Sequence, residues 1–295
     1  MKRFYAFVLG IVAAALASCG EPPAPEEFSG DASPAIWEIT SANGQVEGWL
    51  FGTIHALPDG VAWRTTVLDA ALDDADILVV EVKDIDEPGA ISSVYNRLSR
   101  SSDLKPLFQR VRRSDRAALS ELLGEAGYSE DDFTELETWA VALTVAQLTD
   151  TGETENGVDR ALLRSFDHGP IRELETIESQ LSIFDSLSQE DQDDLLASIL
   201  HQADKLETRP FQLGGLWYRG DVEQIDTRTR EALLSDEELL KALLIDRNTA
   251  WVPQITAMLA DQPQPFIAVG TAHLAGEHGL PALLAAQGYR TRRIQ

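Results

Sequence analysis

Two of the chain's five histidines close copies of one short pattern. Trp49-Leu50-Phe51-Gly52-Thr53-Ile54-His55 lies near the start, and Phe266-Ile267-Ala268-Val269-Gly270-Thr271-Ala272-His273 near the end. Each is an apolar run, as long as a buried strand, that closes on Gly-Thr-x-His. Glycine at a strand's end permits a sharp turn or the close approach of another group. The histidine then stands at the strand's C-terminal edge, where open α/β sheets place their ligand sites. Two carboxylates occupy comparable places. Glu81 interrupts Ile77–Val82, the most β-branched run in the chain, near its end, and Glu175 sits at a strand-to-helix junction after Gly169-Pro170-Ile171-Arg172-Glu173-Leu174.

If these strands are parallel neighbours, the four side chains gather on one sheet edge. Two imidazoles and one or two carboxylates, with a position left for water, suit Zn²⁺, Mn²⁺ or another divalent first-row ion. Such an ion acidifies water and polarises a carbonyl, so hydrolysis of a peptide or small ester is the natural chemistry. In this scheme His55, His273 and either Glu81 or Glu175 hold the ion. The other carboxylate takes the proton of the attacking water, and Arg247 stabilises the developing oxyanion or grips a substrate carboxylate with its planar fork.

Each residue also has a plain structural use. A histidine can be hydrogen-bonded in a loop, Glu81 can pair with an arginine in the core, Glu175 can cap a helix, and Arg247 can sit on a helix surface. The duplicated motif weighs toward the site. His168 and His201 read as surface residues, whereas His278, five residues past His273, is within reach of the site. No Gly-x-Ser-x-Gly elbow occurs, which disfavours a serine hydrolase. The rival to an enzyme is a protein that sequesters a peptide or haem with the same two histidines. Glu81 favours the enzyme, because a carboxylate beside a reacting water can act as a general base.

The elements that must position these groups follow from pattern. Ile36–Thr40, the turn Asn43-Gly44 and Gln45–Thr53 form a hairpin, and a helix covers about 64–74. From about Pro88 to Thr208 the pattern is mostly helical, with three-to-four-residue apolar spacing over 117–126, 136–148 and 195–206. Helices resume over 211–260 with a break and cap at Gly220-Asp221. A strand (266–270), the motif loop, a helix (about 280–287), Gly288 and a last strand (289–294) complete the chain. The fold class is α/β: a mixed central sheet with flanking helices and a largely helical insert at about 88–208.

The N-terminal residues read as an export signal. Lys2 and Arg3 precede the apolar stretch 4–17, which is too short for a membrane span. Leu16-Ala17-Ser18-Cys19 has the form of a bacterial lipobox, with cleavage before Cys19 and lipid on that residue. Gly20, rather than aspartate, follows it, so in a Gram-negative cell an outer-membrane lipoprotein facing the periplasm is expected. This divides the chain into a signal peptide (1–18), a flexible tether (19–34) rich in Pro, Glu and Ala, and one domain (35–295). The single cysteine is then committed to lipid, leaving neither a disulfide nor a thiol nucleophile. With 24 basic residues against 49 acidic, a formal net charge of −25, nucleic acid is disfavoured as a partner. Membrane contact is expected through the lipid anchor alone.

At these residues the chain resembles the TraB/PrgY/GumN family, which includes the TIKI-type metalloproteases. The resemblance rests on the paired Gly-x-x-His motifs (Gly52 to His55 and Gly270 to His273) and on Glu81 closing an apolar strand. Leu174-Glu175-Thr176, Arg247-Asn248 before a tryptophan, and the ending Gly-Thr-Ala-His-Leu-Ala-Gly complete it. It extends over about Ile36 to Ile294. It implies a fold related to erythromycin esterase-like enzymes and haem-binding lipoproteins, and for the TIKI branch a peptidase using Mn²⁺ or Co²⁺. Fold likeness does not by itself carry the reaction.

Overall fold

The computed structural model describes residues 24–149, 151–208, 211–232, 236–261 and 263–295. The signal segment, Cys19 and the first part of the tether lie outside them. Strand β1 (Ile36–Thr40) turns through Gly44, at φ +85°, into β2 (Val46–Thr53), and the two pair antiparallel with Ile36 opposite Phe51. Helix α1 (Thr66–Asp73), capped by Thr65 Oγ1 accepting from the Leu68 N–H, leads to β3 (Ile77–Val80).

Helices α2 (Pro88–Leu98), α3 (Leu107–Arg110), α4 (Arg116–Glu125), α5 (Thr138–Thr149) and α6 (Val158–Ser165) precede the short strand β4 (Ile171–Glu173). Helices α7 (Ile177–Asp185), α8 (Gln189–Thr208), α9 (Gln212–Tyr218), α10 (Val222–Ala232) and α11 (Glu237–Leu240) follow. A π-helical turn, Lys241–Ile245, then runs into α12 (Asp246–Ala260). Strand β5 (Pro265–Gly270), α13 (Leu280–Ala286) and β6 (Arg290–Arg293) end the chain.

The six strands lie in the order β4-β3-β5-β2-β1-β6. The first four are mutually parallel, whereas β1 is antiparallel to both β2 and β6. The mixed α/β sheet expected from the sequence is therefore present. Because β2, β3, β4 and β5 point the same way, their C-terminal ends share one edge. Val80 stands level with Ala268 and Glu173, and Thr53 with Gly270.

Both faces of the central strands are covered, which is why they read as continuous apolar runs. Phe51, Leu78, Val80, Phe266 and Ala268 face a core with Trp63 and Trp217. Leu50, Val79, Ile267 and Val269 face Trp251 and Ile255 of α12 and Leu280 and Leu284 of α13. A third core, built on Trp139, Val141 and Val145 of α5 and on Leu195, Leu196 and Leu200 of α8, holds the helical region together. The 88–208 stretch serves both regions: α6 contributes Val158 and Leu162 to the first core, and β4 is an edge of the sheet. Helix α8 begins six residues before the apolar period at Leu195. Its first turns are polar and are started by Ser188, whose hydroxyl accepts from the Asp191 N–H, a cap that apolar spacing does not register.

Candidate functional site

Each motif glycine is explained by close approach rather than by a left-handed turn. A Cβ on Gly52 would lie 2.6 Å from Thr271 Oγ1, the hydroxyl that donates to Thr53 O at 2.9 Å and ties the two motif loops together. The Gly270 N–H donates to Glu81 Oε1 at 2.7 Å, and a Cβ there would crowd the same oxygen at 3.2 Å.

His55 leaves β2 and meets the start of α6. Its Nδ1 is 2.9 Å from Asp159 Oδ2, and Thr53 Oγ1 donates to Asp159 Oδ1 at 2.7 Å. Gly157 makes this possible: a Cβ at that position would fall 2.3 Å from the His55 carbonyl oxygen. The His55 side chain is 73 % exposed, but it lines a cavity, so that surface is a wall of the cavity. The charge of Asp159, followed by its hydrogen bond, raises the His55 pKa to about 9.

His273 is buried. Asn248 Nδ2 donates to the carbonyl oxygens of His273 (3.2 Å) and His278 (2.7 Å). Its Oδ1 must therefore accept from His273 Nδ1, at 2.7 Å. That assigns the lone pair to His273 Nε2, which accepts from Arg247 Nη1 at 3.1 Å. Burial, with Arg247 and His55 nearby, lowers the His273 pKa to about 4, so the ring is neutral.

Arg247, the second residue of α12, links the remaining groups. Its Nη2 lies 2.6 Å from Glu81 Oε2 and 2.9 Å from Glu175 Oε2, and its Nε donates to Glu175 Oε1 at 3.0 Å. Trp251 Nε1 also donates to Glu175 Oε1, at 3.0 Å, and the Trp251 ring lies under the Arg247 guanidinium (4.7 Å) and packs at a tilt against His273 (4.5 Å). Glu81 further accepts from Gln180 Nε2 at 3.2 Å. Burial works to raise the Glu81 pKa, yet His273, Arg247, His55 and the Gly270 N–H together hold it at about 2. Burial works against the Arg247 charge, but the two carboxylates more than offset it and raise its pKa.

His55, His273, Glu81 and Arg247 all line one cavity of about 690 Å³. Glu175 stands behind Arg247 and is not among its walls. His278 does not line it either and contributes only its carbonyl oxygen. His168 lies at the surface with Nε2 near the Leu72 and Ala75 carbonyls, and His201 lies at the surface beside Asp115.

The donors fit a divalent ion in kind. Each motif histidine has Nδ1 engaged by a dedicated partner, which leaves Nε2 for the cavity, the arrangement ligating histidines commonly show. Their present positions are those of an arginine-paired cluster. Arg247 holds both Glu81 Oε2 and His273 Nε2, and among the described residues no three His, Cys, Asp or Glu side chains form a ready metal cage.

Three participants escape sequence reasoning. Asp159 carries a faint signal, the Gly157-Val158-Asp159 helix start. Asn248 is visible only as Arg247's neighbour. Gln180 shows nothing in the sequence, because it is aimed by the packing of α7 over Glu81.

A mixed sheet flanked by helices, with histidines and carboxylates at the C-terminal ends of its four parallel strands, defines an α/β protein with a charged site in a largely apolar cavity. The profile of the TraB/PrgY/gumN family matches residues 35–293, and the chain belongs to that family. No curated protein and no solved structure matches it.

Proposed function

We propose that the cavity is the active site of a divalent-metal-dependent hydrolase acting on a peptide or small ester carbonyl. The observation that carries this reading is the shared treatment of the two motif histidines: Asp159 and Asn248 each engage an Nδ1, so that Nε2 is the nitrogen an ion would take, displacing the proton of His55 and the Arg247 hydrogen bond of His273. His55 and His273 through Nε2, with Glu81, would hold the ion (Mn²⁺, Co²⁺ or Zn²⁺). When bound, such an ion polarises a carbonyl and makes water more acidic.

The remaining work falls to side chains. Asp159 and Asn248 orient the imidazoles. Glu81 stays ionised at neutral pH and would serve twice, one oxygen toward the ion and the other taking the proton of the attacking water. Arg247, steadied by Glu175 and Trp251, keeps its guanidinium edge at the cavity wall for negative charge growing on the carbonyl oxygen. Of the two candidate carboxylates, Glu81 suits chemistry because it faces the cavity, and Glu175 suits holding Arg247.

A second reading, non-catalytic sequestration of a peptide or haem, is favoured by the full pairing of Glu81 and His273 with Arg247. Metal analysis of purified protein before and after chelation, together with peptide-library and ester assays, separates the two. The hydrolase reading expects bound metal, turnover lost with chelator and restored by Mn²⁺, and both properties lost together in His55→Ala and His273→Ala. Ligand binding without turnover in metal-loaded protein would give the site to the second reading. The lipobox further supports an envelope lipoprotein anchored through Cys19, in which Cys19→Ser should accumulate unprocessed precursor.

A further inference from the structure

The walls of the cavity bear on its substrate. Apart from the charged cluster, much of its lining is aliphatic or aromatic: Leu143 and Ala146 of α5, Leu181 and Phe184 of α7, Ile199 of α8 and Leu243 of the π-helical turn are all part of it. Of these, Leu143, Ala146, Leu181, Phe184 and Leu243 pack one side against the helical core and remain only partly buried. Their other side faces the cavity. These six side chains stand on helical segments, whose backbone groups are committed to their own hydrogen bonds.

An extended peptide needs partners for its N–H and C=O groups, commonly an open strand edge. Among the described residues no such edge reaches this cavity. The strands that do, β2 and β5, each have neighbours on both sides, and the two sheet edges, β4 and β6, are absent from its lining. A chain without backbone amides meets no such demand and gains from each methylene it buries.

Resting on the hydrolase reading, we infer that the substrate is an ester of an apolar acyl chain, with its carbonyl at the Glu81–His273–Arg247 wall and its chain between α5, α7 and α8. In the reaction water oxygen bonds to the acyl carbon and the acyl C–O bond breaks. One water proton passes by way of Glu81 to the leaving alkoxide, giving a carboxylic acid and an alcohol with no change of oxidation state.

The test uses the full chain loaded with Mn²⁺ and 4-nitrophenyl esters from acetate to decanoate, below their micellar concentrations. Alongside, binding of 11-(dansylamino)undecanoic acid is followed by fluorescence, with decanoate as competitor. kcat/KM should rise about two- to fourfold per added methylene until the cavity is filled, and the probe should bind saturably. Ala146→Trp, which fills the cavity from α5, should lower the ratio of decanoate-ester to acetate-ester kcat/KM by about tenfold or more. Saturable, competed probe binding without turnover of any ester or peptide would uphold the acyl-chain pocket and overturn the hydrolase reading. Turnover of peptides or esters with a flat length profile and no probe binding would overturn the acyl inference and leave the hydrolase standing.

Discussion

The His55 and His273 loops begin from the same four-residue motif on neighbouring parallel strands and end in opposite electrostatic states. His55 is given a carboxylate partner and a face on the cavity, and its pKa is raised to about 9 by Asp159. His273 is given an amide partner, a tryptophan face and a neighbouring guanidinium, and burial lowers its pKa to about 4. The motif therefore fixes where an imidazole stands, and residues far away in sequence decide what charge it carries. Near neutral pH one ring holds a proton and the other offers a lone pair, which is how environment separates chemically identical groups into distinct roles.

The largest break in this comparison should come from Arg247, which touches the His273 half alone. Arg247→Ala leaves Glu81 and Glu175 as neighbouring carboxylates, 10 % and 11 % exposed, with no cation between them. Breaking such a buried pair costs about 3–5 kcal/mol, read as a lower midpoint in urea unfolding. Arg247→Lys should recover only part of this, because a point charge cannot fork across two carboxylates and a ring nitrogen. Equal stability of Arg247→Ala and wild type would show that the cluster is not the anchor of this half.

Next in size is the contrast between the histidines themselves. His273→Ala strips Asn248 Oδ1 and Arg247 Nη1 of a buried partner and should cost about 1–3 kcal/mol. His55→Ala removes an exposed ring, leaves Asp159 the hydrogen bond of Thr53, and should cost less, within about 1 kcal/mol of wild type. Under the proposed function both lose turnover, so stability and activity should separate for His55 and fall together for His273. Circular dichroism melts run beside the ester assay measure both.

How much of this was legible in the sequence follows from what kind of signal each residue leaves. The strand ends carrying His55, Glu81, Glu175 and His273 were readable because an apolar run closed by a polar residue is a local pattern. The parallel arrangement of β2, β3, β4 and β5 then brought those ends to one edge. Asp159 showed only as part of a helix start, because its partner His55 lies 104 residues away and Gly157 packing on the His55 carbonyl brings the two together. Arg247 was visible as a candidate, but its pairing with both carboxylates depends on how α12 docks on the sheet. That docking is set by core residues such as Trp251 and Ile255, whose packing partners the sequence does not reveal.

A smaller effect, and a sharper test, comes from exchanging the partners. Asp159→Asn should bring the His55 pKa down toward its ordinary value, since the Asp159 charge is the main cause of its elevation. Asn248→Asp should raise the His273 pKa by placing a carboxylate at Nδ1, at some cost in stability because Asn248 Nδ2 no longer bonds the His273 and His278 carbonyls. NMR titration of the two rings in metal-free protein reads both shifts. Unmoved titrations in both variants would assign the contrast to burial alone.

The smallest expected effect is the pH dependence of stability in metal-free protein, where the two halves should act on opposite limbs. On the acid side His273 and Glu81 act together. His273, lowered from 6.5 to about 4, contributes stability above 6.5 that is lost as pH falls through 4. Glu81, lowered from 4.5 to about 2, contributes stability above 4.5 that is lost as pH falls toward 2. On the alkaline side His55, raised from 6.5 to about 9, contributes fully below 6.5 and loses its contribution as pH rises through 9. Its ring is accessible, so solvent screens the pair and the alkaline drift should be slight. Thermal melts from pH 6 to 10 should show a shallow fall in Tm for wild type and a flatter profile for His55→Gln, which keeps a polar side chain but cannot take the proton. An equal alkaline fall in both proteins would mean that the His55–Asp159 pair contributes nothing to stability and serves only to orient the ring.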